Sequence, residues 1–334
     1  MFRFIVRRLL QLVPTLFGLS LLLFIWLHRL PGGPESAILG ERGTPEMRAA
    51  IRRNLGLDEP ILIQYGRFMK RLLQFDLGTS ISTKREVTTE FLVRFPGTVE
   101  LTIAAMVIAV GVGIPLGYLA ARRRGTLLDH GSVVGSLIGI CIPVFFLAYL
   151  LKAIFAENLG WFPSSGRQDP RIDATRVTNF FVLDGLLTRE WDASLNALWH
   201  LVLPGLALAS IPLAIIVRIT RASVLEVLGE DFVRTAQAKG LTERVIRRRH
   251  VLRNAMLPVA TSIGLLTGGL LSGAVLTETV FAFGGIGAFV ADAISARDYP
   301  VLQGFILIIA LVYVLVNLLV DVSYTFIDPR VRVR

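Results

Sequence analysis

The sequence predicts an all-α, polytopic membrane protein with six transmembrane helices and both termini on the cytoplasmic side. Three observations carry this. The 334-residue chain is 53% hydrophobic with a mean hydropathy of +0.63. Several apolar runs reach the roughly 20 residues a helix needs to cross hydrocarbon. Its cations gather in alternate connections between those runs. The length alone would suggest about two soluble domains, but no stretch outside the apolar runs is large enough to stand by itself. Residues 1–334 therefore read as a single transmembrane domain.

The N-terminus opens "MFRFIVRRLL" and stays apolar to Leu30. It lacks the short apolar region and small-residue cleavage site of a signal peptide, so it is expected to remain as the first span, 9–30. Further spans are expected over 98–121, 132–156, 201–219, 257–280 and 301–324. Short connections at 122–131 and 281–300 favour antiparallel neighbours. Orientation follows from Lys and Arg in the short loops. One side holds Arg3, Arg7 and Arg8, then Arg122 to Arg124, nine cations within 218–254, and Arg330, Arg332 and Arg334. The other side's shorter loops hold only Arg167, Arg171, Arg176, Arg189 and Arg297. The net charge of +10 is thus explained by topology, and nucleic acid is not needed to account for it.

The external segments are 31–97 and 157–198. In the first, Thr44-Pro45-Glu46 reads as an N-cap followed by Pro at the first helical position. Amphipathic helices are expected near 45–54 and 60–74, then a turn at "FDLGTS". The segment 157–198 carries six acids against four arginines, with Trp161, Trp191 and other apolar residues. Both segments are expected to fold against the membrane domain.

Catalytic signatures are missing: there is no G-x-x-x-x-G-K-[ST] phosphate loop, no H-E-x-x-H and no G-x-S-x-G elbow. Cys141, the single cysteine, excludes an internal disulfide and a cysteine metal cluster. His28, His130, His200 and His250 lie far apart near expected span ends and suit an interfacial role better than metal ligation. Gly131, Gly135 and Gly139, Gly264 with Gly268, and Gly269 with Gly273 recur every fourth residue, a spacing that lets another backbone approach closely. Pro115, Pro143, Pro204 and Pro212 should kink their helices. Glu278 and Asp321 are ionisable groups near span ends, read as hydrated, structurally paired carboxylates.

The segment "RTAQAKGLTERVIRRRH", Arg234 to His250, interrupts the greasiest part of the chain. Asp231 to Lys239 reads as a short helix, with Glu230 and Asp231 at its positive end and Lys239 at its negative end. Gly240 stands where a left-handed residue ends a helix. Thr242 can cap a second helix that has Glu243 in its first turn. A bent two-helix knuckle is expected within the cytoplasmic loop 220–256.

"DFVRTAQAKGLTERVIRRRHVLRNAMLP" resembles the signature cytoplasmic loop of binding-protein-dependent ABC importer permeases. Arg234, Thr235 and Ala236 stand at the E-A-A positions, Gly240 is the glycine, and Leu257-Pro258 close the motif. The changed first two letters and the longer distance from glycine to Leu-Pro are similar to the dipeptide, oligopeptide and nickel branch. So are "LPGGP" at 30–34, "FDLGTS" at 75–80, "TETVFAFGGIG" at 277–287, "RDYP" at 297–300 and "IDPRVR" at 327–332. With "IPLAIIVRITRASVLEVLGED", the set resembles most the B-type dipeptide permease subunits.

The resemblance implies a type I ABC importer permease-like fold in a bacterial inner membrane. It implies a second homologous permease as heterodimer partner and two ATPase subunits on the cytoplasmic side, where ATP and magnesium would bind. An extracytoplasmic binding protein would deliver a dipeptide or oligopeptide; glutathione or nickel is the alternative within the branch. The chain itself would be non-catalytic and would bind no cofactor or metal. Glu230, Asp231, Arg234, Thr235, Ala236, Ala238, Lys239, Gly240, Leu241 and Pro258 would form the ATPase-coupling loop. Thr261, Ser262, Thr267 and Ser272 are candidates to line the pathway, although such hydroxyls equally serve helix packing. An ATP-independent secondary transporter would show midplane charges and inverted repeats, and an intramembrane enzyme would need a nucleophile–base pair. None of these features is evident.

Overall fold

The computed structural model describes residues 2–29, 39 and 44–327. "LPGGP" and nearly all of "IDPRVR" lie outside them. The described residues are almost wholly helical and contain no strand, only an isolated antiparallel bridge between Thr79 and Glu86. Among the described residues, five helices are long and apolar enough to cross a membrane: Leu10–Arg29, Val87–Arg122, Trp191–Leu228, Glu243–Leu271 and Tyr299–Leu318. A sixth candidate is the pair Leu127–Cys141 and Val144–Asn158, bent by 100°.

The chain divides into two compact units, 1–96 with 285–315, and 97–284 with 316–334. The first contains helices α1 (Phe2–Arg29), α2 (Pro45–Leu55), α3 (Ile61–Leu73), the start of α4 (Val87–Arg122), α13 (Ile286–Ala296) and most of α14 (Tyr299–Ile327). Thr44 caps α2 by accepting from Met47 N at 3.3 Å. α3 turns Phe68 onto Leu23 and Phe24 of α1, and Tyr65 bonds Ser20 at 2.9 Å. This covers part of the apolar face of the 31–97 segment. A second cluster joins Phe91 to Phe289 and Phe305.

Two separated motifs meet in this unit. The buried carboxylate of Asp298, in "RDYP", accepts from Ser80 Oγ at 2.6 Å and from Ser82 N at 3.0 Å. Ser80 is the last residue of "FDLGTS". Asp76 begins that turn by accepting from Gly78 N at 2.9 Å.

The second unit contains the rest of α4, α5 (Leu127–Cys141), α6 (Val144–Leu151) with a π-helical extension Lys152–Asn158, α7 (Phe181–Leu187), α8 (Trp191–Leu228), α9 (Asp231–Ala238), α10 (Glu243–Val245), α11 (Arg253–Gly273) and α12 (Val275–Val280). α8 is the central element and packs against α5, α6, α7 and α11. Its close seam with α4 depends on two glycines four residues apart. A Cβ on Gly117 would lie 2.6 Å from Val217 O, and one on Gly113 would lie 2.9 Å from Ile216 Cγ2. Four of the glycines expected to do this behave otherwise. A Cβ on Gly131, Gly135 or Gly269 would meet nothing within 4 Å, and one on Gly139 comes within ordinary contact of α8. Spacing put them on a common face, but it carried no information about which face meets a neighbour.

Several element boundaries differ from the sequence expectation. The run 132–156 is not one helix. Pro143 supplies no N–H and drives Ile142 to extended backbone (φ −76°, ψ 121°), as expected for a residue before proline. By contrast, α8 continues through Pro204 and Pro212. The fifth run ends its helix at Gly273, and 275–280 forms the separate α12. α4 and α8 extend well past the expected 98–121 and 201–219, because hydropathy marks the lipid-buried part of a helix whereas its hydrogen bonds run on into the interface.

Candidate functional site

The segment between α8 and α11 folds as a bent knuckle. α9 begins after Glu230, which has extended backbone and makes no side-chain capping bond. It ends in a Schellman turn. Leu241 N donates to Ala236 O at 3.3 Å, Gly240 N donates to Gln237 O at 2.9 Å, and Gly240 sits at φ +73°. The expected helix end at Gly240 is therefore built from backbone bonds that a left-handed residue permits. Thr242 occupies the N-cap position of α10 with extended backbone, but its hydroxyl makes no capping bond. The first turn is held by Val245 N donating to Thr242 O at 3.0 Å.

After three α-helical residues the winding widens into a π-helix over Ile246–Leu252 before α11 begins. Much of the expected loop 220–256 is thus helix, continuous with α8 at one end and with the fifth span at the other. Val233, Ala236, Ile246, Val251 and Ala255 are buried in a cluster with Ala121 and Val224. The knuckle is therefore locked by apolar packing to the ends of α4 and α8.

Of the expected coupling residues, Ala236 alone is buried (5% exposed). Glu230, Asp231, Arg234, Thr235, Ala238, Lys239, Gly240 and Leu241 are exposed and contiguous around the turn. Asp231 and Arg234 approach to 3.6 Å, both largely in solvent. Phe232 and Leu241, at 42% and 40% exposure, add apolar surface to the same turn. Pro258 lies inside α11, away from this surface. Where the pathway candidates are concerned, Thr261, Ser262 and Thr267 donate to the carbonyls of Leu257, Pro258 and Ile263 on their own helix at 3.1, 2.9 and 2.8 Å. The side chain of Ser272 is outside the described residues.

The sequence reading missed a polar network at the other end of this unit. Glu100, on α4, bonds Arg167 at 2.7 Å, and Glu100 Oε1 accepts from Val182 N at 2.8 Å. Arg167 also donates to Asn179 O at 2.8 Å and lies 3.8 Å over the Phe181 ring. Burial pulls the Arg167 pKa down, while Glu100 opposes the shift. Asp184 is fully buried and accepts from Thr178 Oγ1 at 2.6 Å and Thr178 N at 2.8 Å. Glu278, expected to be hydrated, is instead fully buried and accepts from Thr98 Oγ1 at 2.5 Å. α12 is folded into the unit rather than continuing as a span, and this carries Glu278 inside. The side chain of Asp321 is outside the described residues. One clue to this network was legible: Glu100 is a lone acid at the head of an apolar run.

Elsewhere, Arg221 of α8 clamps Asp129 of α5 through both carboxylate oxygens, at 2.5 and 3.0 Å. His28, His130 and His200 each bond a backbone carbonyl four residues earlier. Among the described residues, no cluster of three or more His, Cys, Asp or Glu could hold a metal.

Comparison with known proteins adds to this geometry. The family described as the binding-protein-dependent transport system inner membrane component matches residues 113–333, and the N-terminal family of the same kind of membrane component matches residues 1–102. The dipeptide transport system permease protein DppB of Alkalihalophilus pseudofirmus is 43% identical, covering 99% of this chain and 100% of the relative. The di/tripeptide transport system permease protein DppB of Pseudomonas aeruginosa is 47% identical over 99% of each. The glutathione transport system permease protein GsiC of Salmonella paratyphi A is 37% identical over 99% of each. A chain of the inward-facing MetNI methionine ABC transporter shares the fold, with a TM-score of 0.53 at 16% identity, covering 72% of this chain and 98% of that one.

Proposed function

The chain belongs to the family of inner membrane components of binding-protein-dependent transport systems, and from that premise we propose that it forms half of an ATP-driven import pathway for dipeptides. Relatives named for dipeptides, at 43–47% identity, resemble it more than the glutathione permease at 37%. This favours a dipeptide over glutathione. A second, homologous permease completes the pathway as a heterodimer. An extracytoplasmic binding protein delivers the peptide, and two ATPase subunits bind ATP and magnesium on the cytoplasmic side. The chain contributes no bond chemistry of its own.

The observation that carries the reading is the two-faced knuckle. Its inner face, Val233, Ala236, Ile246 and Val251, is packed onto the ends of two span helices. Its outer face presents Glu230, Asp231, Arg234, Thr235, Ala238, Lys239, Gly240 and Leu241 around a tight turn. A push on such an element is transmitted to α8 and α11, because apolar packing resists deformation. ATPase closure applied at this turn would tilt the spans and alternate access to the pathway.

Gly240→Val tests the coupling. No atom lies within 4 Å of the position a Cβ would take at Gly240, so the substitution causes no clash. It forces a β-branched residue into left-handed backbone at a cost of about 1–2 kcal/mol. The expected result in the reconstituted complex is normal insertion, weakened ATPase retention or hydrolysis uncoupled from binding-protein delivery, and lost uptake. Wild-type ATPase docking together with wild-type uptake would show that the bend carries no coupling.

A further inference from the structure

The helix that leads from the docking turn into the fifth span carries a cationic face that the coupling role leaves unused. Glu243–Leu271 is 29 residues long. Hydrocarbon accommodates about 20 residues, or 30 Å. The apolar part of this helix is its C-terminal part, so the surplus is its beginning. That beginning contains Arg244, Arg247, Arg248, Arg249 and Arg253, and a helix start that exceeds the hydrocarbon thickness is expected to sit among the headgroups.

The winding determines where these cations point. Ile246–Leu252 is π-helical; its hydrogen bonds run from i to i+5, so residues four and five apart stack. Ile246 and Val251, five apart, are buried, as is Ala255 one step on. The opposite side carries Arg244, Arg248, Arg249 and Arg253, all exposed. At the 3.6 residues per turn of an α-helix, these four would spread over about half the circumference; the wider winding gathers them. Arg247 falls between the faces and pairs with Glu243. The other four have no ion pair or hydrogen bond among the described residues. Arg122, Arg123 and Arg124 are also exposed, and they follow Ala121, which shares a buried cluster with Ile246 and Val251.

We propose that the Arg244, Arg248, Arg249 and Arg253 face binds the phosphate groups of anionic phospholipids in the cytoplasmic leaflet, and so sets the height of the knuckle against the membrane. The reasons are charge complementarity and position. Four unpaired guanidiniums on one face, immediately preceding a span, meet headgroups before they meet any protein docked on the more distal Glu230–Leu241 turn. Clusters of four or more cations at this place attract anionic lipid. The proposal draws on the permease reading only for the orientation of the knuckle, and its readout does not depend on what is transported.

The test is native mass spectrometry of the purified complex equilibrated with equal amounts of phosphatidylglycerol and phosphatidylcholine. The wild type is expected to retain phosphatidylglycerol several-fold over phosphatidylcholine. Arg244→Gln, Arg248→Gln, Arg249→Gln and Arg253→Gln combined should abolish that preference, and the four corresponding Lys substitutions should keep it, which separates lost charge from misfolding. No preference in the wild type, or an undiminished one in the four-Gln variant, would overturn the proposal. So would loss of the ATPase subunits from the four-Gln variant in lipid-free detergent, since the face would then be meeting protein instead.

Discussion

In the 159–190 segment two charges, Arg167 and Asp184, are turned inward while much of the apolar surface is outside; in the knuckle the apolar side chains are inside and the charges outside. Asp184 is buried, and Arg167, its side chain 9% exposed, pairs with the buried Glu100 of α4, while Trp161, Val177 and Leu187 are each about 60% exposed. In the knuckle Val233, Ala236 and Ile246 are buried, and Glu230, Asp231, Arg234 and Lys239 face solvent. Both are charged interruptions between spans of one compact unit, so composition does not separate them. The difference lies in what the charges are for. A buried pair is costly to break, because removing one partner leaves the other charge uncompensated. Exposed, weakly paired charges contribute little to stability and remain available to a partner.

Cutting the buried pair gives the largest expected effect. Arg167→Ala leaves Glu100 buried without its cation, which costs about 3–5 kcal/mol, and removes the stack on Phe181. The thermal unfolding temperature in detergent should fall steeply, and Glu100→Gln added to it should recover part of the loss. An unchanged unfolding temperature for Arg167→Ala would mean that the segment is not held by this network.

The knuckle should respond in the opposite sense. Phe232→Ala removes an exposed ring, so the unfolding temperature should stay as in the wild type. ATPase retention should weaken about tenfold, the scale of one apolar anchor at an interface. If stability fell and docking did not, the knuckle would belong with the 159–190 segment as a purely structural element.

The smallest effect is a pH dependence at the rim of the 159–190 segment. Thr175 donates its hydroxyl and its backbone N–H to Glu190, at 2.8 and 3.0 Å, and holds the carboxyl below its ordinary value of 4.5. A depressed folded-state pKa stabilises the protein above the unfolded value, and the contribution is lost as pH falls through the folded one. The difference in unfolding temperature between wild type and Glu190→Gln should therefore be present near neutral pH and shrink as pH drops below 4.5. A difference independent of pH would assign the effect to packing.

Much of this was legible in the chain because it depends on neighbours in sequence. Hydropathy over about 20 residues marks a span, so each apolar run is expected to be helical, including the one that Pro143 divides. Thr44-Pro45-Glu46 marks a helix start, and Gly240 after a helix bounded by Glu230 and Lys239 marks a Schellman end; both follow from local backbone chemistry. The knuckle's place between α8 and α11 was readable for the same reason, and so was the exposure of its charged residues.

What tertiary structure decided is which side chains meet across long separations. Gly113 and Gly117 lie against α8 while Gly131 and Gly135 face open space, yet both sets have the same spacing. Ser80 reaches Asp298, Glu100 reaches Arg167 and Thr98 reaches Glu278 only because folding brings distant segments together. Periodicity assigns a residue to a face, but the partner of that face depends on how helices pack. Local hydrogen bonding and hydropathy are properties of short windows, whereas burial and the pairing of charge are properties of the packed unit.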